Sequence, residues 1–193
     1  MQTQNAPSRP SRTGFTMIEL LTVIAVVGIM MSIVVPRMRI TATTEAQLAG
    51  MQLAQDIDLT RTRALSTRSR ARVSFTTGTS ASYTGYLDTD GDSTITESNE
   101  ERLALQAFGT QPLPPRMTIG RGSASSIPGD VGSGSITLAN SRVEFDSRGL
   151  PTPMGTSGTV YLRQTEDPSA VVAVAVSPSG GVRLWTWRGG SWQ

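Results

Sequence analysis

Hydrophobic positions fall into three regimes along the chain, and each regime predicts a different element. From Phe15 to Val35 the sequence is an almost unbroken apolar run, close to the roughly 20 residues a helix needs to cross a bilayer core. One carboxylate, Glu19, lies inside it; intramembrane acids cost about 2.5–3.5 kcal/mol on insertion scales and are kept for a task. Pro36 follows the run and removes a helical hydrogen bond, so a helix kink is expected there with helix on both sides. Next, Ala46, Ala49, Leu53, Ile57, Thr60 and Ala64 recur at spacings of three and four. That spacing lays one apolar stripe along a helix at about 41–66, which should pack on a sheet. Gln47, Gln52, Gln55, Asp58, Arg61 and Arg68 supply its solvated side.

From residue 70 onward the period changes to two. Short alternating runs at 70–76, 82–87, 102–108, 117–119, 136–138, 142–145, 159–163, 170–176 and 182–187 read as strands. Pro112-Leu113-Pro114-Pro115, the Gly/Ser-rich stretch 120–135 and Pro151-Thr152-Pro153 read as loops, with 120–135 expected to be a mobile surface loop. The fold class is therefore α+β. A long N-terminal helix, one half transmembrane and the other amphipathic, packs on a mainly antiparallel β domain. Three segments follow: a polar, basic leader over 1–14, a transmembrane helix over 15–36, and a domain over 37–193 that is β-rich from 70. The apolar run is too long for an ordinary secretory signal. Orientation is not settled by charge, because Arg9 and Arg12 on one side face Arg37 and Arg39 on the other.

Composition narrows the chemistry. The chain of 193 residues has a formal charge of +2, and all its basic residues are arginine. A net charge so small names no partner. It contains neither cysteine nor histidine, which removes disulfides, thiolate nucleophiles, imidazole bases and the commonest zinc ligands together. An enzyme is disfavoured, and no cofactor is expected.

Gly14-Phe15-Thr16-Met17-Ile18-Glu19-Leu20-Leu21, leading straight into the apolar run, resembles the prepilin signature of type IV pilins and type II secretion pseudopilins. Arg63-Ala64 with Val73-Ser74-Phe75 is similar to the GspH/FimT group of minor pseudopilins, as are Val143-Glu144-Phe145-Asp146-Ser147-Arg148-Gly149 and Val174–Leu184. The resemblance spans most of the chain and leaves 120–135 unmatched. It implies a pilin-like fold and cleavage by a prepilin peptidase between Gly14 and Phe15. It also implies N-methylation of Phe15, anchorage in the inner membrane with the N-terminus cytoplasmic before cleavage, and a periplasmic or extracytoplasmic C-terminal domain. Its partners would be the peptidase and other pilins or pseudopilins, in a filament or tip complex of a type II secretion system or a type IV pilus.

These expectations meet the residues at Gly14 and Glu19. Gly14 offers a backbone with no side chain where a protease must hold the chain extended. In a filament, Glu19 could be neutralised by the Phe15 amine of a neighbouring subunit, which is cationic near neutral pH with a reference pKa of about 8. Pairing with its own amine is the alternative, since residues four apart share a helix face.

Two further groups carry candidate chemistry. Asp88, Asp90 and Asp92 alternate like the opening of a calcium loop. The EF-hand template then breaks, with Ser93 where glycine is needed and Asn99 where a bidentate Glu is needed. An acidic turn is the plainer expectation, and a Ca2+ site at these three residues the alternative. At the C-terminus Arg183, Trp185, Trp187 and Arg188 interleave charge and aromatic surface, the composition that stacks on bases in single-strand binding. A DNA-binding minor pilin in DNA uptake, for which the family gives support, is the alternative function. Only two arginines lie in the segment, which favours a structural or protein contact.

Overall fold

The computed structural model describes residues 14–37, 41–104 and 109–193. The leader positions 1–13, residues 38–40 and the stretch 105–108 lie outside them. Two compact units result, Met1–Ile40 and Thr41–Gln193.

In the first unit Thr16 begins helix α1, Met17–Arg37. Its hydroxyl accepts from the Glu19 N–H at 3.3 Å, and its carbonyl accepts from the N–H groups of Glu19 and Leu20. Polar residues inside the apolar run are satisfied locally: Thr22 Oγ1 donates to the Ile18 carbonyl and Ser32 Oγ to that of Ile29. The helical backbone continues through Pro36, the position of the expected kink, to Arg37; residues 38–40, on which the far side of that kink was expected, lie outside the described set. Every described side chain from Met17 to Ser32 is exposed. Among the described residues no helix is long and apolar enough to cross a membrane; the described side chains of α1 stop at Ser32.

The second unit is built around α2, Ala42–Thr67. Thr41 caps it by accepting from the Thr44 N–H, and Arg68 ends it in the left-handed region at φ 55°. All six residues of the apolar stripe are buried, together with Gly50. Gly50 lets α2 approach the sheet closely, since a Cβ there would lie 2.7 Å from Leu184 Cδ1 and 2.9 Å from Val172 Cγ2 and force those side chains to shift. The supposedly solvated face is only partly so. Gln47 donates to Thr186 Oγ1, and Arg61 Nε donates to the Gly149 carbonyl.

The β region forms two sheets. The first has the order β3-β2-β1-β5, from β1 (Ala71–Thr76), β2 (Ser82–Leu87), β3 (Thr110–Pro112) and β5 (Arg142–Phe145). The second has the order β4-β6-β7-β8-β9. Its strands are β4 (Met117–Ile119), β6 (Gly158–Gln164), β7 (Val171–Val176), β8 (Val182–Arg188) and β9 (Ser191–Trp192). All pairings between these strands are antiparallel, so the α+β class holds. Helix α2 fills the core shared by both sheets: Leu53 and Ile57 cluster with Val73, Phe145, Leu162, Val172 and Val174. Leu53 is wholly buried, so L53A should cost about 2–5 kcal/mol and lower the melting temperature by roughly 10 °C. Thermal unfolding of the full chain followed by circular dichroism checks this.

Three local expectations are corrected. Residues 102–104 belong to helix α3, Asn99–Ala104, not to a strand. Ser98 and Glu101 form a reciprocal cap, with Glu101 N–H on Ser98 Oγ and Ser98 N–H on Glu101 Oε2. The run 136–138 makes one bridge, Ile136 to Val160, before a 3-10 turn at Ala139–Ser141. The stretch 120–135 is a packed loop: Ala124 and Ile127 are buried, and Trp192 Nε1 donates to the Ser125 carbonyl.

Candidate functional site

The N-terminal candidates separate into a non-helical entry and a first helical turn. Gly14, Phe15 and Thr16 precede α1, and a Cβ on Gly14 would meet nothing within 4 Å. Phe15 is 78% exposed. Because α1 starts at Met17, Glu19 is its third residue and its first-turn acid, where the positive end of the helix dipole favours a carboxylate. Phe15 precedes the helix, whose first turn closes on the Thr16 carbonyl. Beyond Glu19 the helix presents Leu20, Leu21, Val23, Ile24, Val26, Val27 and Ile29, all exposed. Exposed apolar residues in so long a run mark a surface for protein or lipid contact.

This N-terminal stretch matches a known pattern. Residues 9–35 match the prokaryotic N-terminal methylation motif. The chain thus carries a prepilin-type N-terminus, with Gly14, Phe15 and Glu19 all inside the matched residues. Among curated protein sequences none matches the chain. Among solved structures, two crystal forms of the type IV minor pilin FimU from Pseudomonas aeruginosa are similar to it. One is 14% identical with a TM-score of 0.47, covering 72% of this chain and 87% of that one. The other is 13% identical with a TM-score of 0.45, covering 72% and 90%.

The C-terminal candidates lie on β8, which alternates in burial. Leu184 packs with the α2 core, Thr186 is buried, and Trp185 faces the other way, against a small cluster of Ile127, Tyr161, Ala173 and Trp192. Arg183 lies with its Cζ 5.5 Å from the Trp185 ring centroid, and Trp187 meets Trp192 edge-on at 5.2 Å. Arg188 is exposed at the end of the strand. The tryptophans are thus engaged with each other and with the loop 120–135 rather than free as stacking platforms.

That loop contributes residues that sequence reasoning passed over. Tyr161 is fully buried; its hydroxyl accepts from the Ile127 N–H at 3.0 Å and donates to Asp130 Oδ2 at 2.6 Å. Burial first, and the Asp130 hydrogen bond second, push its ionisation up to about 12. Arg121 stacks 4.2 Å over the ring and donates to the carbonyls of Gly132 and Gly134. The Gly/Ser composition of 120–135 hid this anchoring, because both partners come from distant sequence. Between the loop and strands β6 to β8 runs a groove of about 750 Å³ whose wall includes Arg183 and Trp185.

The acidic turn after β2 does bring Asp88, Asp90 and Asp92 together, with one carboxylate oxygen of each lying within 4.8 Å of the others. Each is already an acceptor within the turn. Asp88 accepts from the N–H groups of Gly91 and Ser93, Asp90 from that of Asp92, and Asp92 from that of Thr94.

Proposed function

We propose that this chain is a non-enzymatic minor pilin or pseudopilin of the GspH/FimT group, serving a type IV pilus or a type II secretion system. In this reading a prepilin peptidase cuts after Gly14, and the new Phe15 amine is methylated. The apolar helix then holds the subunit in the inner membrane with unit Thr41–Gln193 on the outer side, until α1 enters a filament or its tip. The observation that carries the proposal is the methylation motif over 9–35 running into a helix whose apolar residues are exposed and whose acid sits in the first turn. With residues 33–35 included, the apolar run of the sequence reaches the roughly 20 residues needed for a bilayer core. The internal use of Trp185, Trp187 and Trp192 favours a protein contact over DNA for the β8 face.

The test is the mass of the mature chain. Intact-protein and peptide mass spectrometry of membranes from cells that carry a prepilin peptidase should find an N-terminal peptide beginning at Phe15 with one methyl group added. A chain that retains residues 1–14, or one that is cut elsewhere, defeats the proposal.

A further inference from the structure

The outer face of the first sheet holds an arginine cleft that filament assembly through α1 does not use. On β1 and β5 the residues Ala71, Val73, Phe75, Val143 and Phe145 point into the core, so Arg72, Arg142 and Glu144 point out. Register sets Arg72 opposite Glu144 and Ser74 opposite Arg142. Arg72, Arg142 and Glu144 line, with Arg70, Asn140 and Thr152, a cavity of about 330 Å³.

Two of its three arginines are already matched. Glu144 receives Arg72 Nη2 at 2.7 Å and Arg70 Nη1 at 3.2 Å, while Glu97 receives Arg72 Nη1 at 3.1 Å. Arg72 also donates to the Ile95 carbonyl, which fixes it as part of the wall. The guanidinium of Arg142 has no acceptor and no ion-pair partner among the described residues, and it is half-buried. Asn140 and Ser141, at φ 54° and 51°, turn the chain into β5 beside it. Three guanidiniums against two carboxylates leave one positive charge, centred on Arg142. Asn140 and Thr152 add neutral donors around it.

We propose that this cleft binds a single carboxylate, with Arg142 as its cation. A carboxylate matches the guanidinium fork with two parallel hydrogen bonds and balances the residual charge, whereas a dianionic phosphate would overfill it beside Glu144. The carboxylate belongs either to an acidic side chain of a neighbouring protein chain or to a small free acid, and the same experiment separates the two sources.

Full-length 15N-labelled protein in detergent micelles is titrated at constant ionic strength with sodium acetate, with the capped peptide Ala-Ala-Glu-Ala-Ala, and with sodium phosphate. The readout is the Arg142 Nε–Hε resonance in the wild type, with the backbone amide resonances of Val143 and Glu144 followed alongside it and used alone for the variants. Acetate and peptide should shift it along saturating curves, with phosphate at least about tenfold weaker. R142Q should weaken carboxylate binding by about tenfold or more, with R142K intermediate and both variants retaining the wild-type circular dichroism spectrum. A peptide that binds more tightly than acetate assigns the carboxylate to a protein partner; equal or weaker binding assigns it to a free acid. Non-saturating shifts, tighter binding of phosphate, or unchanged affinity in folded R142Q would each overturn the proposal.

Discussion

A chain carrying Gly14→Leu should remain at precursor length while its folded domain is unaltered. Chain neighbours aside, no described residue lies within 4 Å of the position a Cβ would take at Gly14, and Gly14 precedes the first helix, so the added side chain clashes with nothing among the described residues. On the proposed function the loss would fall at the peptidase, which would hold residues 14 and 15 extended for attack on the bond between them. Displacing a scissile bond by about 1 Å costs on the order of 10²-fold in rate. Immunoblotting of membranes should therefore show the precursor accumulating, and the domain's melting temperature should match that of wild type. A mature-length product from G14L would remove Gly14 from the site of processing.

The N-terminal motif was legible because it is linear: glycine, aromatic residue and acid are read in order, with no partner needed from elsewhere. Helix α2 was legible for a related reason, since 3.6-residue periodicity is local and placed all six stripe residues on the buried side. Gly50 escaped because its close neighbours are Val172 and Leu184, more than a hundred residues away. The strands after residue 70 were largely visible as alternation, yet alternation fixes only facing and not partner, so the division into two sheets was not. Helix α3 was misread although its Ser98-x-x-Glu101 cap stood in the sequence. The arginine cleft had no sequence signature, because Arg72 and Glu144 are 72 positions apart and meet only through the register of β1 with β5.

The position of Glu19 changes what its removal should do. A charge midway along an apolar helix would threaten insertion, but an acid at the third helical position sits beside the positive end of the dipole and one turn from the chain entry. E19A should therefore be cleaved, methylated and held in the membrane like the wild type. Its defect should appear at assembly, where the Phe15 amine of a neighbouring subunit would be buried without a counter-charge. Removing one partner of a buried ion pair costs about 3–5 kcal/mol, which at about 1.4 kcal/mol per factor of ten corresponds to an incorporation loss on the order of 10²–10³-fold. Quantitative co-purification with filaments, normalised to the membrane pool of mature subunit, measures it. If the proposed pairing forms, processing is a precondition for assembly, because the uncleaved chain has no amine at Phe15 to offer. G14L and the double variant G14L/E19A should then be equally excluded from filaments. A double variant incorporated still less than G14L would mean that Glu19 acts through something other than the amine released at Gly14, and an E19A chain incorporated as well as wild type would mean that the pairing does not exist.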